Sequence, residues 1–312
     1  MTTTKDQSLT NAGHKFLEAI VEIRQDRVTL DDAAFMARQF VQATLPHSNP
    51  QTDTWRRVNG NFALGIQAGF NPRTGKTYGL PYGIIPRLLL FWITTEAVKT
   101  KNPRLMLGAS LADFMREVGL SPTTGGGVRG DAKRLHDQME RLFSASITFV
   151  GDLSEGTHKG EEVTDLKISS HRVLWWNPRS PGQNTLWQSY VDLRPEFFTA
   201  ITAAPIPVDT RALRALKRSP LALDLYALCC YEAHRVERTG RTRSIPWRAL
   251  QKQLGAEYDA GGEAAAWEFA RKARAALKKV AAVMPSLHLD NLKGGIAILP
   301  DSHPAIPKKR TP

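Results

Sequence analysis

Glycine, lysine and threonine occur in residues 69–77 in an order close to that of a phosphate-binding loop. A P-loop has four residues between its two glycines, then Lys and Ser or Thr, and it leads into a helix N-terminus. Here five residues separate Gly69 from Gly75, and Pro81 follows Lys76-Thr77 too closely for a helix to begin. We therefore predict a turn at this place and no nucleotide-hydrolysing site.

The histidines and cysteines do not form a pattern of metal ligands or nucleophiles. The eight histidines are scattered, and no histidine pair accompanies a tyrosine as a metal-dependent nicking enzyme would require. Cys229 and Cys230 are adjacent within a helical pattern, which excludes a disulfide framework and a zinc site. We predict that the chain is not an enzyme, has no catalytic residues and binds neither a metal nor a cofactor.

The composition favours binding to a polyanion. The 312 residues include 42 Lys and Arg against 30 Asp and Glu, a formal net charge of +12. Residues 207–312 contain 19 basic and 10 acidic side chains, residues 61–206 contain 16 and 13, and residues 1–60 contain seven of each. Because phosphate neutralisation supplies non-specific affinity for DNA, we expect the last third to contribute most of it. The alternative is a basic protein without a nucleic-acid partner.

One predicted helix, residues 263–282, combines an apolar stripe with a cationic one. At about 100° per residue, Phe269, Leu277 and Val280 fall on one face and most of the cations lie opposite or beside it. This pattern is typical of a recognition helix, although a solvated surface helix would share it. The predicted DNA contacts of this region are Arg271, Lys272, Arg274, Lys278, Lys279 and, in the turn of a following hairpin, Lys293.

A second candidate recognition helix covers residues 127–143. Leu135, Met139 and Leu142 form its apolar face, and its cations lie near the N-terminal end, which reaches base edges in helix-turn-helix proteins. The hydroxyls and glycines before it suit phosphate contacts, or the glycines simply shape the turn. The predicted DNA contacts here are Thr123, Thr124, Arg129 and Lys133.

The same order of elements surrounds both candidate helices. Helices are predicted at 82–101, 111–118 and 127–143 with strands at 146–151 and 163–176, and again at 220–236, 246–254 and 263–282 with strands at 286–292 and 296–300. Helix, helix, turn, helix and hairpin is the order of a winged helix. We predict an α+β fold with an N-terminal helical arm and linker (1–60), winged-helix domains at 61–206 and 207–303, and a basic tail (304–312).

The predicted arm has two amphipathic helical patterns and little net charge. Phe16, Leu17 and Ile20 belong to the first, and Phe35 and Phe40 to the second. We expect these helices to dock on the body of the protein, on a second copy or on another protein. No apolar run reaches the roughly 18 residues of a membrane span, and the N-terminus has no apolar signal region, so we expect a cytoplasmic protein without a membrane partner.

Several residue runs resemble the RepA-type replication initiators of broad-host-range bacterial plasmids. The likeness covers about residues 60–300, and its motifs are specific in combination. It rests on residues 78–90, 94–97, 107–111, 125–126, 129–130, Leu135, Gln138, 141–143, 191–193 and 219–226.

The resemblance implies a non-enzymatic initiator of plasmid replication. Such a protein binds repeated double-stranded sites (iterons) at the plasmid origin, helps to open an adjacent A·T-rich stretch and recruits host replication proteins of the helicase-loading machinery. The resemblance also implies a homodimer that represses the gene of the protein itself. A winged-helix transcriptional regulator that prefers palindromic operators is the alternative, and a DNA-nicking enzyme is a third, which the missing motifs disfavour.

Overall fold

The fold is described by a computed structural model in which ten helices and 14 strands are defined. The described residues are 11–26, 28–29, 32–122, 130–155, 158–175, 181–183, 189–255 and 263–307. The helices are α1 (Asn11–Gln25), α2 (Arg38–Gln42), α3 (Ile84–Thr100), α4 (Leu111–Glu117), α5 (Asp131–Ser144), α6 (Pro195–Ala203), α7 (Thr210–Leu216), α8 (Pro220–Thr239), α9 (Trp247–Leu254) and α10 (Glu263–Val283). None of the helices in these ranges is both long and apolar enough to cross a membrane.

The strands are short and form five small antiparallel sheets. They are β1 (Ala33–Ala37), β2 (Thr54–Asn59), β3 (Phe62–Gln67), β4 (Phe70–Asn71), β5 (Lys76–Thr77), β6 (Arg104–Met106), β7 (Ser146–Glu155), β8 (His158–Lys167), β9 (Ser169–Val173), β10 (Tyr190–Leu193), β11 (Pro205–Asp209), β12 (Arg243–Pro246), β13 (Leu289–Leu292) and β14 (Gly295–Ile298). Helices and sheets share one continuous hydrophobic core, so the architecture is mixed α and β, as predicted.

Two three-stranded sheets have equivalent positions among the helices. After α3 comes β6, then α4 and α5, and β6 pairs with β10, which pairs with β9. After α8 comes β12, then α9 and α10, and β12 pairs with β14, which pairs with β13. The same strand order therefore occurs in both sheets, and the order helix, strand, helix, helix, strand, strand occurs twice if β7 and β8, which lie between α5 and β9 in the first copy, are set aside.

The strands after α5 differ in part from the prediction. β7 and β8 pair as the expected hairpin, but they belong to a four-stranded sheet of order β2-β3-β7-β8. Ile147 and Phe149 on β7 are buried beside Leu64 and Ile66 on β3, which explains why β7 adds to that sheet. The sheet that contains β6 is completed by β9 and β10 instead. Trp175, within the predicted strand 163–176, lies beyond the end of β9 and is exposed, and Trp176 lies outside the described residues.

The N-terminal segment is part of the core. α1 forms as predicted, but the expected second helix around Phe35 and Phe40 is wrong in its first half. Residues 33–37 form β1 and pair with β11, and only Arg38–Gln42 is helical. β1 is buried on both faces, so its apolar residues match a helical period only by coincidence.

Removing residues 1–55 is therefore expected to abolish cooperative unfolding. Phe40, Val41 and Leu45 are each at most 5% exposed, and losing a buried side chain of this size costs about 2–5 kcal/mol. The sum is comparable to the whole stability of a typical protein, about 5–15 kcal/mol. Thermal melting followed by circular dichroism measures the effect. A shorter deletion, of residues 1–26, should keep a cooperative melt, because the side chains that α1 packs against the core, Phe16, Ile20 and Ile23, are only partly buried.

Candidate nucleic-acid interface

α10 has the two faces that its sequence predicts. Phe269, Ala273, Leu277 and Val280 are at most 4% exposed and pack into the core. The cations Arg271, Lys272, Lys278 and Lys279 are exposed. Lys272 forms an ion pair with Glu268 at 3.0 Å, whereas Arg271, Lys278 and Lys279 form no ion pair with any carboxylate in the described residues. The helix thus presents uncompensated positive charge to solvent.

Arg274 is more constrained than the sequence suggests. Its guanidinium carbon lies 4.7 Å from the ring centroid of Trp247, the first residue of α9, and the side chain is only partly exposed. A cation over an indole face is attracted by the ring quadrupole, so α9 holds this arginine in place. Arg274 is therefore a preorganised cation beside the freer Arg271 and Lys278.

Trp267, which was not among the predicted contacts, lies at the beginning of the same face. This tryptophan is 67% exposed, the most exposed of the large hydrophobic side chains in the described chain. It lies four residues before Arg271 and seven before Arg274, so the three residues follow one side of α10. This spacing could have identified Trp267 from the sequence, because an aromatic residue on the same side of a helix as the cations is not part of the apolar stripe.

The β13–β14 hairpin places Lys293 at an exposed tip. The turn consists of Lys293 and Gly294, and the backbone N–H of Trp247 donates to the carbonyl of Gly294 at 3.0 Å. A Cβ at Gly295 would collide with the backbone of Ile245, so glycine is required where β12 and β14 meet. The hairpin and α9 are consequently fixed to each other.

α5 buries its predicted apolar face, and one of the four DNA contacts predicted in this region lies among the described residues. Leu135, Met139 and Leu142 are fully buried. Lys133 is partly exposed and lies 3.6 Å from Asp137, one turn later on the helix. Thr123, Thr124 and Arg129 lie outside the described residues.

A buried ion pair joins the two repeated arrangements. Arg87 in the first turn of α3 is 2% exposed, and Asp224, the fifth residue of α8, is 8% exposed. Nε and Nη2 of Arg87 donate to the two carboxylate oxygens of Asp224, each at 2.8 Å. Arg87 also donates to the carbonyls of Leu45, Pro46 and Gly83 at 2.6–3.0 Å. The carboxylate and these three carbonyls thus satisfy the donors of the guanidinium.

His47 completes this cluster. Its Nε2 lies 2.9 Å from the Oδ2 atom of Asp224. Burial lowers the pKa of His47, and the neighbouring Arg87 lowers it further. Burial by itself would raise the pKa of Asp224, but Arg87 and His47 outweigh it and hold that pKa at about 2. The cluster at neutral pH therefore consists of a cation, an anion and a neutral imidazole.

Two more contacts attach the N-terminal segment to α9. Arg57 on β2 is 5% exposed and donates to the carbonyls of Thr44, at 3.0 Å, and Lys252, at 3.2 Å. The side-chain amide of Gln253 donates to the carbonyl of Val41 at 2.7 Å. Residues 41–57 thus lie between α3 and the helices α8 and α9, and they fix the orientation of one arrangement relative to the other.

Comparison with known proteins gives one family match. The family model for plasmid-encoded RepA protein matches residues 80–248, which include Arg87, Asp224 and nearly all of the runs on which the resemblance rests. No curated protein matches the sequence. Two crystal structures of domains 2 and 3 of RctB, one from selenomethionine derivatives, have TM-scores of 0.49 and 0.45 and identities of 12% and 14%. Each covers 83% of this chain, and the matched parts are 96% and 94% of those chains.

Proposed function

This chain belongs to the plasmid-encoded RepA protein family, and from that membership we propose that it is a replication initiator that binds repeated double-stranded sites at a plasmid origin. In this proposal the protein has no enzymatic activity and needs no metal or cofactor. It acts in the cytoplasm, helps to open the origin and recruits the host helicase-loading machinery, and a homodimer acts as its repressor form.

The observation that carries the proposal is the repeated arrangement of helices and sheet. Helix, strand, helix, helix and two strands is the order of a winged helix, with α4–α5 and α9–α10 as the two helix-turn-helix pairs. The second helix of such a pair enters the major groove, and α10 carries exposed cations on its outward side. Each of the two units would then contact one half of a binding site.

The buried joint favours an initiator with a fixed spacing between its two DNA contacts. Arg87, Asp224 and residues 41–57 hold α5 and α10 in one relative orientation within a single chain. One monomer can then recognise an asymmetric site, and copies of such a site can follow one another as direct repeats. A symmetric dimer of a transcriptional regulator would instead require palindromic operators.

Footprinting on the plasmid DNA around the gene tests this proposal. We expect protection of tandem direct repeats, each covered by one copy of the protein. Protection confined to an inverted repeat at the promoter would favour the transcriptional regulator, and nicking of supercoiled DNA with Mg²⁺ or Mn²⁺ would favour an enzyme. The Arg271→Ala, Arg274→Ala, Lys278→Ala variant is the matched control, because it should lose protection of either kind of site.

A further inference from the structure

A groove of about 670 Å³ between α1, α3, α5 and α7 is lined by five cationic side chains. They are Lys15 from α1, Arg134 from α5, Arg214 from α7, and Lys217 and Arg218 from the turn before α8. Asp131 is the one carboxylate among the described lining residues, and it already pairs with Arg134 at 3.1 Å. The groove therefore has a large excess of positive charge.

The cations are close enough to oppose one another's ionisation. Nζ of Lys217 donates to the carbonyl of Gly119 at 2.7 Å, and burial lowers the pKa of this lysine. Lys15, Arg218 and Arg214 lower that pKa further. These three residues form no ion pair with a carboxylate anywhere in the described ranges. An anion in the groove would offset this repulsion.

The position of the groove indicates which anion it receives. Asp131 and Arg134, in the first turn of α5, form one of its walls, and Lys133 lies between them in the sequence. In a helix-turn-helix protein the N-terminal end of the second helix meets the bases, and neighbouring elements meet the backbone. A duplex bound at this end of α5 would bring its phosphates to the groove.

We propose that this groove binds phosphates of the DNA backbone beside the bases that α5 contacts. The inference rests on the proposed function and adds a part of the chain to it. Lys and Arg are the usual side-chain partners of DNA phosphates. α1, whose balanced charge predicts no role in DNA binding, contributes Lys15, and the turn that connects α7 with α8 contributes Arg218.

The test is the salt dependence of binding to a duplex of about 40 base pairs. The groove variant is Lys15→Gln, Arg214→Gln, Arg218→Gln, and the control variant is Arg38→Gln, Arg56→Gln, Arg238→Gln. The control changes the net charge equally, and its three residues are exposed and lie outside the groove. Each phosphate contact adds about 0.9 to the slope of the logarithm of the binding constant against the logarithm of the salt concentration. We therefore expect the groove variant to lose about 2–3 units of this slope and the control variant less than 1.

Two more variants show whether a reduced slope comes from the lost charges or from misfolding. Arg218→Gln alone should lose about 0.9 units of slope. Lys15→Arg, Arg214→Lys, Arg218→Lys keeps all the charges and should keep the wild-type slope. Equal slopes for the wild-type protein, the groove variant and Arg218→Gln would overturn the inference.

Two further measurements, DNA binding by an α10 variant and titration with small anions, distinguish this inference from its alternatives. If the α10 variant Arg271→Ala, Arg274→Ala, Lys278→Ala weakens DNA binding but the groove variant does not, the groove inference fails and the proposed function stands. If the wild-type protein itself does not bind the duplex, the DNA-binding function fails as well. Titration with ATP and with inorganic phosphate completes the test. If the wild-type protein binds either of them, the groove variant does not, and DNA binding is unchanged, the groove is a small-anion site and the inference is overturned.

Discussion

Replacing Asp224 by alanine is expected to lower the free energy of unfolding by about 3–5 kcal/mol. The substitution leaves the Arg87 guanidinium, only 2% exposed, without the carboxylate to which its Nε and Nη2 atoms donate. A buried charge without a partner is among the costliest changes in a folded protein. Equilibrium unfolding in urea measures the loss, and the slope against denaturant shows whether the transition remains two-state.

Arg104 and Asp192 provide a matched control on the protein surface. Arg104 donates to both oxygens of Asp192, at 2.6 and 2.8 Å, but its side chain is 53% exposed. Because water screens exposed pairs, Asp192→Ala is expected to cost at most about 1 kcal/mol. If Asp224→Ala costs no more than Asp192→Ala, the buried pair does not hold the two arrangements together.

An apolar replacement of both partners distinguishes the ion pair from the rest of the cluster. Replacing a buried pair by hydrophobic residues is often neutral or stabilising. Here Arg87 also donates to three backbone carbonyls, including those of Leu45 and Pro46, which Arg87→Met, Asp224→Leu would leave without this donor. We therefore expect the double variant to remain destabilised.

The same cluster predicts a loss of stability in acid. His47 has a pKa below its usual value of 6.5, and Asp224 has a pKa of about 2 instead of 3.8. Both groups bind fewer protons in the folded than in the unfolded protein, so stability falls as the pH falls. The contribution of His47 is lost below about pH 6.5, and that of Asp224 between about pH 4 and 2. Asp224→Asn should flatten the lower part of this pH profile.

The helices that carry the candidate contacts could be predicted because their signal is local. The apolar stripe of α10 repeats within a few residues, so helical periodicity alone identifies Phe269, Ala273 and Leu277 as buried. The paired strands β13 and β14 follow from a glycine-containing turn between two short apolar runs. In both cases neighbouring residues in the sequence are neighbours in the structure.

The joint between the two arrangements could not be predicted, because its residues are far apart in the sequence. Arg87 and Asp224 are separated by 137 residues, and β1 pairs with β11 across most of the chain. Periodicity gives no register for such pairings. One signal did exist, because an arginine within the apolar run from Ile84 to Ile93 needs a buried partner. The sequence does not say which acidic residue supplies it.

The basic face of α10 leads to the second large prediction. Replacing Arg271, Arg274 and Lys278 by alanine is expected to reduce the salt slope of DNA binding by about 2–3 units, since each phosphate contact contributes about 0.9. Non-specific affinity at physiological salt should fall by at least tenfold. Arg271 and Lys278 are exposed, so their loss should leave the fold intact.

Arg274 requires its own control, because it also stacks on Trp247. Arg271→Ala, Lys278→Ala, Lys279→Ala removes three exposed cations and preserves that stack. If this variant loses the same 2–3 units of slope as the first, the effect arises from charge and not from a disturbed contact between α9 and α10. A full slope in both variants would mean that the cationic face of α10 does not face the DNA, and the +9 charge of residues 207–312 would then have to act from another surface of the C-terminal third.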